Sequence, residues 1–270
     1  MVSAAKLRRA QERAVASRPY AQMMGRVLAN VAAAAAGNED TAGLSLLQVR
    51  EENRIQLITV SSDRGLAGAF NTNLFRMVQR FLDERQAGQI QVETVGRKGR
   101  DYFRKRGYDL TGEHIGIIEK PTYDQAAEIA RRVIDAYEKA EIDAVYIASN
   151  EFKSVMAPTL SLKKVLPVQL PENQAAEGKD GAPPTQIDYI YEQPPEELLG
   201  ALLPRYVEIE IYRAMLESNS AEHAARMTAM DTASSNAGEV IQTLTLNLNR
   251  VRQASITREI IEIVSGAAAL

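Results

Sequence analysis

The last third of the chain carries a helical pattern of apolar and polar positions. No proline occurs after Pro204, and only three glycines follow Gly181. A heptad seam of alternating four- and three-residue steps lies within this stretch, formed by Ala237, Ile241, Leu244, Leu248 and Val251. The pattern predicts one helix from about residue 195 to residue 264. Such a helix would be roughly 100 Å long, so it must project from a compact domain or be broken.

The N-terminal 36 residues show the same alternation with smaller side chains. Their seam consists of Leu7, Ala10, Ala14, Ser17, Ala21, Met24, Leu28 and Val31. Small seam residues let two helices approach closely, so we predict that the two termini form an antiparallel coiled coil. Pro19 lies inside the first helix and is expected to kink it.

The middle of the chain alternates between strand and helix patterns. Strands are predicted at 55–61, 90–95 and 144–148, and helices at 73–86, 98–106 and 124–140. This order indicates an α/β fold with a Rossmann-like, mainly parallel sheet inserted between the two long terminal helices. We therefore divide the chain into a coiled-coil helix (1–50), an α/β domain (51–194) and a second coiled-coil helix (195–270).

Three weaker patterns complete the middle of the chain. A short strand is predicted at 115–118, and later strands are predicted at 165–170 and 187–191, at an edge of the sheet. Residues 171–184 are polar, contain glycine and proline and lack periodicity, which favours an exposed loop.

Composition narrows the classes of function. The net charge is −3, which gives no basic field for nucleic acid, and the absence of cysteine excludes disulfides and thiolate metal sites. The two histidines lie far apart in sequence, so a zinc site is not expected. No run approaches the roughly 18 apolar residues of a membrane span, and basic residues interrupt the N-terminal apolar positions, unlike in a signal peptide.

No catalytic set can be assembled from the sequence. Residues 61–68 (SSDRGLAG) join a strand to a helix, where phosphate loops occur, but they lack the glycine spacing of dinucleotide or Walker motifs. A tight glycine turn is the better interpretation. The basic residues 96–100 could bind an anion, although a solvated turn before a helix is again favoured. We expect no metal and no cofactor.

The terminal segments resemble the gamma subunit of ATP synthase. The resemblance rests on residues 256–270 (ITREIIEIVSGAAAL), 227–238 (MTAMDTASSNAG) and 1–11 (MVSAAKLRRAQ), with 17–20 (SRPY) and the 62–68 turn. It covers essentially the whole chain. Family chains usually begin several helical turns earlier, so the resemblance implies that the first turns of the N-terminal helix are lacking.

The resemblance implies a mechanical function. The terminal helices would form the central shaft inside a ring of alpha and beta subunits. The inserted domain would sit at the foot, with the epsilon subunit (delta in mitochondria), on the membrane c ring. Rotation driven by ion flow would change the nucleotide affinities of the beta subunits. The chain itself would be non-catalytic, would bind no nucleotide and would lie peripherally at the cytoplasmic face of the bacterial plasma membrane.

The resemblance also implies contact residues. Carried over by motif, Arg226, Arg252, Gln253 and Thr257 are expected to meet the beta subunits, and Tyr189 the c ring at the foot. Two other functions fit the pattern less well. A coiled-coil scaffold with a small α/β domain predicts a homodimer, and a nucleotide-using Rossmann enzyme predicts binding at residues 62–68.

Overall fold

The computed structural model describes residues 2–35, 44–85, 90–154, 157–169 and 193–268. It divides into two compact units, Met1–Arg226 and Met227–Leu270. In chain order the helices are α1 (Val2–Ala35), α2 (Phe70–Glu84), α3 (Arg97–Arg104), α4 (Tyr123–Glu138) and α5 (Pro195–Ala268), with a short 3-10 turn at Ser45–Leu47. The strands are β1 (Ile55–Val60), β2 (Ile90–Val95), β3 (Leu110–His114), β4 (Ala144–Ser154) and β5 (Ala157–Leu166).

The five strands form one sheet in the order β3-β2-β1-β4-β5. The β1–β2, β1–β4 and β2–β3 pairs are parallel, and β5 pairs antiparallel to β4. All six residues of β1 are buried, as expected for a central strand covered on both faces. The predicted Rossmann-like, mainly parallel α/β fold is confirmed.

Helices cover both faces of the sheet. One core joins α2 and α3 to the face that carries Leu57 and Val92. The other core joins α4 and parts of α1 and α5 to the face that carries Ile58 and Val60. Alternate residues of β1 therefore enter different cores, because successive side chains of a strand point to opposite faces.

The predicted seam of α1 is confirmed. Seven of its eight residues are buried: Leu7, Ala10, Ala14, Ala21, Met24, Leu28 and Val31. Ala21 and Met24 pack against Ile209 of α5, and Arg18 pairs with Glu217. Residue numbers rise along α1 as they fall along α5, so the two helices are antiparallel. Pro19 lies within the assigned span of α1.

The predicted antiparallel pairing of the two terminal helices is confirmed, but the stretch of α5 that packs on α1 is not its heptad seam. The α5 residues that pack on α1 precede Met227, whereas Ile241, Leu244, Leu248 and Val251 have exposed side chains. A heptad pattern shows that a helix has an apolar stripe but does not show which residues of another helix meet it. Contacts to α1 come instead from residues such as Tyr206, Ile209 and Glu217 of α5.

Two short strands were misplaced. The strand predicted at 115–118 is a loop that follows β3, in which Gly116 has a φ of 80° and Ile118 is buried without strand pairing. The strand predicted at 165–170 ends at Leu166, because Pro167 has no N–H for the ladder. The strand predicted at 187–191 and the loop at 171–184 lie outside the described residues.

Candidate functional site

The turn after β1 is closed by its own hydrogen bonds. The Ser61 hydroxyl accepts from Gly99 N–H at 2.8 Å and donates to the Val95 carbonyl at 3.1 Å. The Asn71 side chain accepts from Ser62 N–H at 3.1 Å, and the Asp63 carboxylate accepts from Arg97 N–H at 3.0 Å. The backbone donors of Gly99, Ser62 and Arg97 are thus used inside the turn, which favours the structural glycine turn over a phosphate loop.

Gly96 is needed where this turn meets α3. Its φ is 102°, and an added Cβ would overlap the backbone carbonyl of Ser61. The basic stretch at 96–100 is therefore shaped by close approach of two backbone segments. Arg100 pairs with Asp101 at 2.7 Å, so one of the cations in this basic stretch already has an anionic partner.

Helix α5 fills the crevice where an α/β sheet of this kind usually binds ligands. That crevice lies beyond the carboxyl ends of neighbouring strands whose connections lead in opposite directions, here β1 and β4. Ala221 of α5 packs against Ala67 and Phe70 beyond β1. Beyond the β1-paired part of β4, Ser218 accepts a hydrogen bond from Asn150 N–H at 3.1 Å. The position that a dinucleotide would take is occupied by the protein's own helix.

A charged cluster lies where α1, the β1–α2 turn, the loop after β3 and α5 meet. We define it as Lys6, Asp63, Arg64, Glu119, Glu222, His223 and Arg226, which line a cavity of about 30 Å³ together with Ile118. Glu119 pairs with Lys6 and, at 3.3 Å, with Arg64. The hydrogen bond from Lys6 holds the pKa of Glu119 below its usual value.

Two members of the charged cluster are buried and titratable. Burial lowers the pKa of His223 to about 4, and the neighbouring cations Arg226 and Lys6 act in the same direction. Burial raises the pKa of Glu222, although the hydrogen bond from Arg226 opposes the rise. The cavity is too small for an organic ligand. Lys6 and Arg64 pair with Glu119, Arg226 pairs with Glu222, and the Asp63 carboxylate accepts from the backbone N–H groups of Arg97 and Gly116, so the cluster joins segments rather than binding a substrate.

Arg226 belongs to this cluster. Its guanidinium donates to the Gly65 carbonyl at 3.3 Å and to Glu222, and it lies 3.3 Å from His223 Nδ1. Its side chain is only 16% exposed. The residue therefore fastens α5 to the β1–α2 turn, whatever else it contacts.

The other predicted contact residues lie in the second unit. Arg252, Gln253 and Thr257 are exposed, and the Thr257 hydroxyl donates to the Gln253 carbonyl one turn back at 2.8 Å. Gln253 and Thr257 thus share one face of the helix. Tyr189, predicted to contact the foot partner, lies outside the described residues.

The second unit presents many large apolar side chains to solvent. They are Met230, Val240, Ile241, Leu244, Leu246, Leu248, Val251, Ile256, Ile260, Ile261, Ile263 and Val264. Leu244 is 60% exposed and Leu246 is 71% exposed. We call residues 227–268 the bare helix. Clustered exposed apolar side chains mark an interaction surface, and among the described helices none is long and apolar enough to cross a membrane.

Sequence reasoning missed the polar residues that tie α5 to the sheet. Glu217, Ser218 and Asn219 are buried and bond to β4 or to the Glu119 carbonyl. A signal was present, because residues 217–220 (ESNS) interrupt an otherwise apolar periodic stretch with four polar residues. Such a run in a buried helix needs hydrogen-bond partners.

Comparisons with known proteins agree with this architecture. The family model described as ATP synthase matches residues 1–270. The ATP synthase gamma chain of Solibacter usitatus is 57% identical over 269 residues, covering 100% of this chain and 91% of the relative. The ATP synthase gamma chain of Trichlorobacter lovleyi is 46% identical over 269 residues, covering 99% of this chain and 90% of the relative.

Two solved structures share the fold. A chain of the Euglena gracilis mitochondrial ATP synthase (OSCP/F1/c-ring) matches with a TM-score of 0.60 and 18% identity, over 98% of this chain and 95% of the other. A chain of the central stalk and c-ring structure of the Tetrahymena thermophila mitochondrial ATP synthase matches with a TM-score of 0.56 and 23% identity, over 87% and 100%.

Proposed function

The chain belongs to the ATP synthase gamma-chain family, and on that premise we propose that it is the central rotary shaft of an F-type ATP synthase. In this role the shaft couples ion flow through the membrane c ring to ATP synthesis or hydrolysis at the alpha and beta subunits. The observation that carries the proposal is the bare helix, whose large apolar side chains between Met230 and Val264 are exposed to solvent.

The surface of the bare helix suits contact with a surrounding sleeve. Apolar residues alternate with the exposed Asn247, Thr243 and Thr245 and with the half-buried Asn249 around the helix. Thr243 and Thr245 donate to carbonyls one turn back, at 3.0 and 2.7 Å, so their hydroxyls are satisfied without a partner. A surface mixed in this way can touch partners without forming one continuous apolar interface, which a rotating part must avoid.

We propose that the chain is non-catalytic within the complex. The crevice that would hold a nucleotide is filled by α5, and the charged cluster encloses only about 30 Å³. Phosphate chemistry would therefore take place on partner subunits, and the chain would act on them by changing the contacts that each one makes.

We assign the proposed partners to two parts of the chain, the bare helix and the foot domain. The bare helix would meet the alpha and beta subunits, with Arg252, Gln253 and Thr257 making direct contacts with beta. Arg226 stays in the proposed contact set through the exposed part of its side chain, and it also anchors α5 to the β1–α2 turn. Tyr189 is proposed to lie at the foot. We propose that epsilon and the c ring bind the foot and hold the chain at the cytoplasmic face of the membrane.

Reconstitution tests the proposal. The chain is mixed with alpha and beta subunits of a bacterial ATP synthase, the assembly is isolated, and ATP hydrolysis is measured. One copy should join three alpha and three beta subunits. Arg252→Ala and Gln253→Ala should lower turnover several-fold in the assembly while leaving the melting temperature of the free chain unchanged, because both side chains are exposed.

Two results would contradict the proposal. A chain that remains outside the alpha–beta assembly and forms a stable dimer is a coiled-coil scaffold. Nucleotide binding by the free chain, lost on substitution within residues 62–68, would favour a nucleotide-using enzyme. As a control, Arg9→Ala changes an exposed basic residue of α1 and should alter neither turnover nor melting.

A further inference from the structure

Strand β4 extends beyond its parallel neighbour. Its pairing with β1 ends at Thr59 and Ala148, but β4 continues to Ser154 and stays paired with β5 on its other side. The backbone groups of β4 that point towards β1 belong to alternate residues. In the overhanging part these are Asn150 and Phe152, which have no strand beside them on the β1 side.

Side chains from two helices take the place of the missing strand. Glu217 of α5 accepts from Phe152 N–H at 2.9 Å, and Arg18 of α1 donates to the Phe152 carbonyl at 2.8 Å. Ser218 accepts from Asn150 N–H at 3.1 Å. Arg18 and Glu217 also pair with each other at 3.3 Å. We call Arg18, Glu217 and Ser218, with the two β4 residues whose backbone they bond (Asn150 and Phe152), the β4 clamp.

Apart from Arg18, whose side chain is 37% exposed, the residues of the β4 clamp are buried, and the bonds of the clamp are directional. Glu217 is 3% exposed and Asn150 is 2% exposed. Hydrogen bonds that involve a charged group are stronger than neutral ones, and removing one partner leaves a buried group unsatisfied. Two helical turns earlier, Glu210 of α5 pairs with Lys163 of β5 at 2.8 Å, which adds a second polar link to the same hairpin.

Apolar contacts alone would hold these segments together less specifically. Elsewhere α5 packs on the sheet mainly through apolar side chains such as Leu203, Val207 and Ile211. Hydrophobic packing is non-directional, so it resists separation better than it resists sliding or rotation of a helix on a sheet. The β4 clamp fixes the rotational position of both helices relative to the end of β4.

We propose that the β4 clamp is the torque-bearing joint between the sheet and the pair of helices, with Arg18 and Glu217 as its positioning residues. The inference rests on the proposed shaft function. In a rotor, torque applied to the sheet domain must reach the helices without slip. Phe152 of β4 bonds to Arg18 of α1 through its C=O and to Glu217 of α5 through its N–H, so the clamp carries load between all three elements.

Angular fluctuation of single rotors tests this inference. The chain has no cysteine, so Lys105→Cys on the exposed end of α3 gives one labelling point on the sheet domain. A bead is attached there in the complex with alpha and beta subunits fixed to a surface. During pauses, Arg18→Gln and Glu217→Gln should each widen the angular variance of the bead at least about twofold. The double variant should match the single ones, because both substitutions break one joint.

A matched control separates the joint from general loosening. Arg213 also pairs with Glu217, at 3.5 Å, but makes no bond to β4, so Arg213→Gln should leave the variance close to that of the parent chain. Hydrogen exchange at the Phe152 amide should be faster in Glu217→Gln and unchanged in Arg213→Gln.

The outcomes distinguish the two proposals. If the parent chain never drives rotation, the shaft function fails. If the parent chain drives rotation and the clamp variants have the same angular variance as the parent chain, the joint proposal is overturned. Equal widening in Arg213→Gln would overturn it as well. If the charge variants do not assemble, Ser218→Ala is measured in the same way, and an unchanged variance then contradicts the joint.

Discussion

At the scale of single residues, the buried side chain of His223 links the stability of the fold to pH. It is 5% exposed, and its pKa is lowered to about 4, mainly by burial and then by Arg226 and Lys6, while Glu119 opposes the shift. Such a histidine is neutral in the folded protein at pH values where the unfolded chain already binds a proton. Its effect on folding therefore depends on pH in a predictable direction.

We predict that the free energy of unfolding decreases as the pH falls from about 7 to about 4, with His223 responsible for part of the decrease. Between these values the unfolded state binds more protons at this residue, so acid favours unfolding. The contribution of His223 to this decrease is at most about 3 kcal/mol, which corresponds to the difference between its usual pKa of 6.5 and its pKa of about 4 in the folded protein. Glu222, whose pKa is raised, acts in the opposite sense above its unfolded pKa.

Urea unfolding at pH 7, 6 and 5 checks this prediction. His223→Asn should flatten the pH dependence of the unfolding midpoint relative to the parent chain. His114→Asn serves as the control, because it replaces the other histidine. A His223→Asn variant with the parent's pH dependence would show that the imidazole is protonated equally in both states.

Residues of the coiled coil were easier to predict than residues of the polar joints. The seam from Leu7 to Val31 followed from periodicity, since burial of small apolar side chains leaves a regular pattern. Arg18 and Glu217 could not be paired from sequence, because they lie 199 positions apart and each resembles an ordinary charged helical residue. Hydrogen-bond partners depend on tertiary placement, which periodicity does not encode.

At the scale of elements, strands in the middle of the sheet were predicted better than strands at its edges. The span of β2 agreed in full and that of β1 within one residue, because four of the six residues in each strand are β-branched, which favours strands. Strands β3 and β5 contain fewer β-branched residues and were misplaced. The long helix α5 was recognised from the lack of breakers, but its two parts have opposite burial, which depends on what packs beside them.

We predict that apolar positions in the two parts of α5 respond oppositely to polar substitution. Leu244→Gln and Leu248→Gln together should leave the melting temperature of the free chain within about 1 °C, because surface substitutions have small effects. Leu203→Gln should destabilise the free chain by about 3 kcal/mol, since Leu203 is 1% exposed in the main core.

Assembly with alpha and beta subunits provides the second measurement for the same variants. The Leu244 and Leu248 substitutions should weaken assembly at least about tenfold, because they remove apolar contact from the proposed interface. Normal assembly by this pair would indicate that the heptad stripe is not the contact face. A lowered melting temperature would indicate that the stripe is covered in the free chain.

At the scale of the whole molecule, the chain combines a well-packed unit with a helix that has little packing of its own. In Met1–Arg226 two cores cover the sheet, whereas the side chains of residues 231–248 are exposed throughout. Regions with few buried contacts open locally at low cost in free energy. The helical state of the bare helix should therefore depend on partners more strongly than the fold of the first unit does.

Limited proteolysis with trypsin tests this dependence. In the free chain, cleavage after Arg250, Arg252 and Arg258 should be at least about tenfold faster than cleavage after Arg54 or Arg226, whose guanidiniums bond to Asp143 and Gly65. Addition of alpha and beta subunits should slow cleavage at the three bare-helix sites and leave cleavage after Arg54 unchanged. Mass spectrometry of the early fragments identifies each cut. Equal cleavage rates at all five sites in the free chain would show that the bare helix is as stable as the first unit. The shaft would then stay helical without the alpha and beta subunits around it.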